Sequence, residues 1–361
     1  MLSGIRKIHR YLSLTLAALW LLQALTGTIL VFHREIDSWL IGAPDVARDG
    51  AALDAALARL QKAHPGATIP FIYAADGAFD QLDVYLRDAG GDYEVHRLDG
   101  QGRVLRSLPS NPERLDAGIF EILLEFHKSL LADEAGEIFL GVSGIFLLTN
   151  IGLGLRLAWP RARQWRQALT FPKPELNQRF AYGLHRALGL WVAIPAIVVV
   201  TAGALMIWDD YVEDWFGGAI TPPAVEPVDQ LPDPLPVTPS AAIARALAEF
   251  PGSRFSVLIP PRNDAPYYKV RVAQPGELRK IYGHTVVYVD ARDGVILGRH
   301  DALNAAPFRA ASSAFYPIHN GEAWGIPGRV VTFLVGLWLI AMIILGLILW
   351  TRRRKPRRRS A

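Results

Sequence analysis

The sequence predicts an α-helical membrane protein with four transmembrane helices in two tandem repeats, each repeat carrying one small α+β domain outside the membrane. Three observations predict this fold class: four long apolar runs, two long polar connections between them, and an internal duplication of the runs with their flanking residues. Of the 361 residues, 51% are hydrophobic. This is too apolar a composition for an ordinary soluble protein with the same content of charged residues.

The four apolar runs are each long enough to cross a bilayer. They cover residues 11–32, 138–159, 187–208 and 330–350, and Arg156 is the one charged residue within them. At about 1.5 Å per residue, such a helix is roughly 30 Å long, which matches the hydrocarbon thickness of a membrane. A basic segment precedes the first run, as in a signal peptide. However, its apolar core is too long and no small-residue cleavage site follows, so we interpret it as an uncleaved span.

The distribution of lysine and arginine predicts the orientation. Basic residues cluster in the segment before the first run, in the link at 161–186 and in the tail at 351–361. By the positive-inside rule these segments face the cytoplasm, so we expect a multi-pass protein of the bacterial inner membrane with both termini cytoplasmic. The net charge of +4 is largely this bias, because the basic residues cluster at the ends of the spans. We therefore expect the lipid bilayer as a partner and no nucleic acid. The absence of cysteine excludes disulfides, iron–sulfur clusters and covalently attached c-type haem.

The spans and connections divide the chain into eight segments. Within each long connection, a helical pattern (51–67 and 239–253) ends at Pro-Gly and is followed by alternating patterns typical of strands. The predicted segments are the cytoplasmic lead with the first span (1–33), a first periplasmic domain with an interfacial segment (34–137), the second span (138–160), a cytoplasmic loop (161–186), the third span (187–208), a second periplasmic domain (209–329), the fourth span (330–350) and the basic cytoplasmic tail (351–361).

The two halves of the chain repeat one another. Because both copies begin in the cytoplasm, the repeat is parallel and its axis should run along the membrane normal. An offset of 176 residues aligns His9 with His185, Arg10 with Arg186, and Gly27 with Gly203. An offset of 192 residues aligns His127 with His319, Gly144 with Gly336, and Gly154 with Gly346.

Five histidines lie at the ends of the apolar runs. His9 and His185 are on the predicted cytoplasmic side, and His33, His127 and His319 are on the outer side. Any one of these histidines could simply anchor its helix at the membrane interface, since the imidazole ring has both polar and apolar character. The duplication, however, retains four of these histidines as two pairs, and ionisable groups at such positions favour a function.

Two imidazoles that converge from facing helices suit a b-type haem, which needs axial nitrogen ligands and an apolar slot. Zinc usually takes a third or fourth protein ligand, so the cytoplasmic pair fits haem better. We therefore predict two haems b, with iron bound by His9 and His185 on one side and by two of the three outer histidines on the other. For the outer haem, repeat symmetry favours His127 and His319 as the two ligands, whereas depth in the membrane favours His33 as one of them.

Other residues complete the predicted haem sites. Gly27, Gly189 and Gly203 are small enough to let a flat ring approach, and Arg10, Arg156 and Arg186 are candidate partners for the propionates. We assign no catalytic residue. The remaining histidines lie in the external domains and are assigned to the surface: His64, His96, His284 and His300.

The ordered set of histidine-bearing segments resembles the PepSY-associated transmembrane family. The motifs are "KIHRYLSL", "LTGTILVFHREID", "FHKSLL", "GLHRALGL" and "IHNGEAWGIPGR", with "VVYVDARDGVILGRH" in the second external domain. The family includes inner-membrane ferric-siderophore reductases of the ferrioxamine type. The resemblance implies tandem TM–PepSY-like–TM repeats and a haem-containing reductase that moves electrons across the membrane to reduce periplasmic ferric siderophore and release iron.

The electron donor and two other functions stay open at this point. No nucleotide-binding motif is present, so electrons should come from quinol or from a separate reductase. One alternative function is a PepSY membrane protein that binds a peptide or a partner. The other is a protein that handles copper, zinc or iron through His33, His127, His319 and Asp209.

Overall fold

The computed structural model of the protein describes residues 2–42, 44–75, 80–110, 118–175, 177–216 and 220–354. The chain forms two compact units, and each takes segments from both halves of the sequence. The helical unit comprises Met1–Val31, Phe126–Trp208 and Ile318–Ala361, and the sheet unit comprises Phe32–Glu125 and Asp209–Pro317.

Helices and strands alternate along the chain in two similar series. In the first half they are α1 (Leu2–Thr15), α2 (Ala17–Leu30), α3 (His33–Leu40), α4 (Gly50–Ala63), β1 (Thr68–Ala74), β2 (Leu82–Arg87), β3 (Tyr93–Leu98), β4 (Val104–Pro109), α5 (Ile119–Ser129) and α6 (Asp133–Ala158). There follow α7 (Trp165–Leu169), α8 (Gln178–Phe216), α9 (Pro239–Glu249), β5 (Arg254–Ile259), β6 (Tyr267–Ala273), β7 (Thr285–Asp290), β8 (Ile296–His300), α10 (Pro307–Ser312), α11 (Phe315–His319) and α12 (Gly325–Arg354).

The helical unit corrects the predicted number of spans. Three segments of the described chain are helical, long and apolar enough to cross a membrane: Asp133–Ala158, Gln178–Trp208 and Glu322–Arg352. The helices α1 and α2 meet that requirement only as a pair, and they are bent by 63°. The predicted class of four transmembrane helices is therefore wrong, since the structure has three continuous spans, or four if the bent pair is one broken span.

Hydroxyl side chains account for the bend in the first apolar run. The break falls at Leu16, between α1 and α2. Just before it, the Ser13 hydroxyl donates to the His9 carbonyl at 2.7 Å, and the Thr15 hydroxyl donates to the Tyr11 carbonyl at 2.8 Å. Such bonds back to the preceding turn compete with the helical ladder and bend helices. Hydropathy measures only the length of an apolar run, so it did not reveal the bend.

The sheet unit corrects the second part of the predicted fold class. The two α+β halves, expected as separate small domains, form one antiparallel sheet of eight strands in the order β4-β3-β2-β1-β5-β6-β7-β8. The first strand of each half joins them, with Ile72 opposite Leu258 and Tyr73 opposite Val257. Each half alone would leave that strand as an unpaired edge with open hydrogen-bonding groups.

The halves also share one hydrophobic core. Ile72 and Leu258 at the strand junction are fully buried, and α4 and α9 contribute the apolar residues Leu57 and Ile243 to the same cluster. Both helices begin with a side-chain cap, since Asp49 accepts from the Ala52 amide and Thr238 accepts from the Ala241 amide. Both end just before a Pro-Gly sequence, as the sequence pattern predicts.

Truncation of a junction residue should destabilise the sheet unit. We expect Leu258→Ala to lower the free energy of unfolding by about 3 kcal/mol, because it removes buried methyl groups and leaves a cavity. The control is Val104→Ala on β4, where the side chain is 49% exposed, and its effect should stay below about 0.5 kcal/mol. Urea denaturation followed by circular dichroism measures both, and equal effects would contradict the shared core.

Candidate functional site

Two of the predicted outer histidines pack against glycines of neighbouring helices in the helical unit. A Cβ atom placed on Gly27 of α2 would lie 2.7 Å from Cε1 of His127, and one on Gly203 of α8 would lie 2.5 Å from Cε1 of His319. Real side chains do not approach so closely. Each imidazole therefore occupies space that is available only because the facing residue has no side chain.

The other predicted pair repeats this arrangement less tightly. A Cβ atom on Gly154 of α6 would lie 3.1 Å from Cε1 of His9, and one on Gly346 of α12 would lie 4.0 Å from Cε1 of His185. His9 is also close enough to His185 for electrostatic interaction. The structure thus brings together the histidines of the predicted cytoplasmic pair.

The histidine–glycine contacts follow the internal duplication. The contact of His127 with Gly27 corresponds to that of His319 with Gly203, with the histidine shifted by 192 residues and the glycine by 176. The contact of His9 with Gly154 corresponds to that of His185 with Gly346, and here the histidine is shifted by 176 residues and the glycine by 192. The duplication therefore preserves pairs of contacting residues and not only isolated residues.

Packing between helices repeats in the same manner. A Cβ on Gly144 would lie 3.2 Å from Cβ of Ala204, and a Cβ on Gly336 would meet the side chain of Thr28. Ala204 is the equivalent of Thr28 at an offset of 176. Helices of one copy therefore pack on helices of the other copy, which is how a tandem repeat forms a single unit.

The Nδ1 atoms of these histidines face backbone carbonyls. Nδ1 of His319 lies 2.9 Å from the Val199 carbonyl, and Nδ1 of His9 lies 3.1 Å from the Asn150 carbonyl. In both cases the carbonyl belongs to the residue four positions before the contacted glycine. A proton on Nδ1 that is donated to a carbonyl leaves the lone pair of Nε2 available to a metal.

The equivalent two histidines make related contacts. Nδ1 of His127 lies 3.0 Å from the Thr26 hydroxyl, and its ring also faces the Gln23 carbonyl. The ring of His185 faces the Met342 carbonyl, although Nδ1 makes no hydrogen bond of good geometry. Each carbonyl again lies four residues before the contacted glycine, so the local geometry is common to all four histidines.

The rings of His127 and His319 face each other. Their centroids are 6.2 Å apart and their planes are inclined by 32°. Two imidazoles that bind one metal ion from opposite sides, each with a metal–nitrogen distance of roughly 2 Å, have centroids about 6 Å apart. The separation of these two centroids is therefore close to that of two imidazoles that ligate one iron.

The two histidine pairs lie at different depths of the helical unit. Eighteen residues separate His185 from Gly203 on α8, which corresponds to about 27 Å along the helix. An apolar cluster between these levels includes the buried side chains of Trp20 and Trp338. Trp20 Nε1 donates to the Ser143 hydroxyl at 3.0 Å, and Trp338 Nε1 donates to the Leu188 carbonyl at 3.0 Å.

His33 and the other two outer histidines are assigned to different compact units of the chain. His33 belongs to the sheet unit, where it begins α3 and its ring centroid lies 6.0 Å from that of Phe120. His127 and His319 belong to the helical unit. The side chain of Asp209, the fourth residue of the predicted metal alternative, lies outside the described residues.

The three predicted propionate partners occupy different surroundings. The Arg10 guanidinium lies 5.3 Å from the ring centroid of Tyr11, and Arg156 is exposed. Arg186 is half-buried, and its Nε donates to the Ala158 carbonyl at 3.1 Å. Gly189, predicted as a slot residue, faces the Met342 methyl group at an ordinary contact distance of 3.4 Å.

The sheet unit contains a cationic cluster around His284. Its members are Lys269, Arg271, Arg279 and Arg309, and the positive charges of the arginines lower the pKa of His284 or of another member of the cluster. Burial and then the Arg279 charge lower the pKa of His284 to about 3, and the same two causes lower the pKa of Arg271 to about 10. The Arg279 guanidinium lies 4.3 Å from the ring centroid of Tyr316.

The histidines assigned to the surface include one that is buried. The side chain of His96 is 4% exposed, so its assignment to the surface is wrong. His64 and His96 also lie side by side, with ring centroids 5.3 Å apart. Their separation of 32 residues in the sequence gave no indication of this contact.

The apolar helices and the repeated histidine–glycine contacts define a membrane protein built from two copies of one motif. The family model of the PepSY-associated TM region matches residues 6–353. The chain belongs to this family, and the resemblance inferred from the sequence motifs is confirmed at the level of the family. A search of curated proteins finds no significant match.

Substitution of a histidine-facing glycine should disturb the helical unit. We expect Gly203→Ala to lower the free energy of unfolding by about 2 kcal/mol, because the new methyl group would displace the His319 ring from a packed position. Gly189→Ala on the same helix is the control, and it should be neutral or stabilising because its Cβ meets only an ordinary contact. Thermal unfolding in detergent measures both, and a harmless Gly203→Ala would contradict the close packing.

The cationic cluster should make the sheet unit sensitive to acid. His284 has a folded pKa of about 3 and an unfolded pKa of about 6.5, so its contribution to stability is complete above pH 6.5. This contribution should be lost as the pH falls from 6.5 to 3, by at most about 1.4 kcal/mol per pH unit. The difference in unfolding free energy between the wild type and His284→Gln, measured across this range, should follow that slope. A constant difference would contradict the prediction.

Proposed function

We propose that this protein is a haem-containing reductase of the bacterial inner membrane, which moves electrons across the membrane to reduce a periplasmic ferric siderophore and release its iron. The observation that carries the proposal is the pair His127 and His319, whose ring centroids lie 6.2 Å apart, about the separation of two imidazoles that ligate one iron. Membership of the family does not by itself decide this function.

Four histidines of the helical unit would hold two haems b. His127 with His319 would provide the axial nitrogens of one, and His9 with His185 those of the other. The contacts of His319 Nδ1 and His9 Nδ1 with helix carbonyls orient these two rings and leave Nε2 for the iron. When bound, haem supplies one-electron exchange at its iron, with a potential that depends on the axial ligands and the surrounding dielectric.

The glycines and the apolar core would support this function. Gly27 and Gly203 allow the outer rings to lie directly against α2 and α8. Trp20 and Trp338 fill the space between the two histidine levels and exclude water from it. The basic residues at 161–186 would place the His9 and His185 level on the cytoplasmic side. A quinol or a separate reductase would deliver electrons, since the sequence carries no nucleotide-binding motif.

Reduction is a suitable way to release iron from a siderophore. Fe(III) is a hard ion that binds tightly to oxygen ligands, and Fe(II) binds to them more weakly. The cationic cluster of Lys269, Arg271, Arg279 and Arg309 would attract a negatively charged ferric chelate. Arg279 stacks near Tyr316, which adds a planar apolar surface for an organic ligand.

A reduced-minus-oxidised absorption spectrum of the purified protein tests the proposal. We expect a low-spin b-type haem spectrum, and we expect His127→Ala and His185→Ala each to change it, because each removes one axial ligand. His300→Ala, a histidine of β8 outside both pairs, is the matched control and should leave the spectrum unchanged. A colourless protein that takes up no added haem would contradict the proposal and favour the peptide-binding or partner-binding function instead.

The acceptor is tested separately under anaerobic conditions. Reduced protein should be reoxidised when a ferric siderophore is added, and a ferrous chelator should trap one Fe(II) for each electron lost. Arg279→Gln should raise the concentration of a negatively charged ferric chelate that gives half the maximal rate. Haem that stays reduced in the presence of several ferric chelates would show that the acceptor is another molecule.

A further inference from the structure

The sheet unit contains a group of side chains that could ligate a metal ion. Each of His64, Glu94 and His96 offers one ligand atom, and these atoms lie within 4.8 Å of one another. His64 is the residue that follows the last residue of α4. Glu94 and His96 are two positions apart on β3 and therefore point to the same face of the sheet.

The imidazole of His96 is held in a specific orientation. Its Nδ1 lies 2.7 Å from the Ser107 hydroxyl on the adjacent strand β4, and the side chain is 4% exposed. Its Nε2 is buried and has no hydrogen-bond partner. A buried nitrogen without a partner costs free energy and calls for an explanation.

The unpaired nitrogen faces the other two members of the cluster. Glu94 Oε2 lies 3.6 Å from Nε2 of His96, which is too long for a hydrogen bond. The rings of His64 and His96 meet edge to face, at 5.3 Å between centroids and an interplanar angle of 66°. A carboxylate oxygen and a second imidazole therefore lie beside the buried Nε2 of His96.

The second half of the sheet unit provides an internal comparison. Phe250 follows the last residue of α9 as His64 follows the last residue of α4, and these two residues have nearly the same backbone angles. Val287 is paired with Val270 in β6 as His96 is paired with Val84 in β2. The second half thus has two apolar side chains where the first half has two imidazoles.

The carboxylate also differs between the halves. Glu94 is paired with Leu86, and its counterpart Thr285 is paired with Val272. The same fold is therefore stable with none of the three ligands, because the second half packs Phe250 and Val287 into a continuous core. Packing alone does not require His64, Glu94 and His96, so the first half retains them for another reason.

We propose that His64, Glu94 and His96 bind one divalent transition-metal ion, of which Zn²⁺ is the representative. Two imidazoles and one carboxylate are a ligand set for zinc that leaves a fourth position for water or another ligand. Ligands at about 2 Å from one ion lie at most roughly 4 Å apart, so the site closes by a small rotation of the partly exposed Glu94 and His64. Ser107 orients His96 for this role through Nδ1. Mg²⁺ and Ca²⁺, which require oxygen ligands, do not suit the site.

Isothermal titration of the full-length purified protein with Zn²⁺ tests this proposal. The wild type should bind Zn²⁺ at this site with a rise in the midpoint of thermal unfolding, and Mg²⁺ should have neither effect. Glu94→Gln, which keeps the shape of the side chain, and His64→Phe, which introduces the residue of the second half, should each weaken the binding by at least about tenfold. His300→Gln in the same unit is the control and should bind as the wild type does.

Two further variants separate a metal site from a structural role. His96→Val introduces the residue of the second half, and it should abolish binding while circular dichroism shows a folded sheet. Ser107→Ala should weaken binding by about tenfold without removing the site, because it frees the His96 ring to rotate. Lack of zinc binding by the wild type up to millimolar concentration would overturn the proposal. Unchanged binding in both Glu94→Gln and His64→Phe would also overturn it.

Discussion

The close contact between an imidazole ring and a helical glycine is the constraint on which the helical unit depends. Two of the four contacts, His127 on Gly27 and His319 on Gly203, require a glycine, because a Cβ atom there would collide with the ring, and a Cβ atom on Gly154 would press against His9. His319 and His9 also place Nδ1 within hydrogen-bonding distance of a helix carbonyl four residues before the contacted glycine. The contacts with glycine therefore set how closely neighbouring helices approach.

The sequence predicted the elements of this site better than their arrangement. The two offsets identified both the histidines and the glycines, since duplication leaves a record in residue identity. They did not show that Gly27 contacts His127 while Gly189 contacts Met342, because a span of apolar residues carries no information about which face meets which helix. Depth in the membrane favours His33 as an outer ligand in the sequence, but His33 lies in the sheet unit, whereas His127 and His319 lie in the helical unit.

The errors in the predicted fold class have two physical origins. Hydropathy gives the length of an apolar run but not its straightness, so it missed the bend at Leu16, which depends on the hydroxyls of Ser13 and Thr15. Strand patterns show which residues alternate, but not which edges meet, so the pairing of β1 with β5 was unforeseen. The sequence assigns His96 to the surface because no partner lies at ligand spacing along the chain, whereas its neighbours in space are His64 at the end of α4 and Ser107 of β4.

The joined sheet has a consequence for the origin of the chain. The pairing of β1 with β5 is antiparallel and links equivalent strands, so it has the form of an isologous contact across a twofold axis. A half-length ancestor with the same fold would have exposed that strand and part of its core, and association with a second copy of itself would have covered both. Fusion of the two copies into one chain then allowed each half to change independently. The first half has His64, Glu94 and His96 where the second half has Phe250, Thr285 and Val287, a difference that no symmetric dimer could have held.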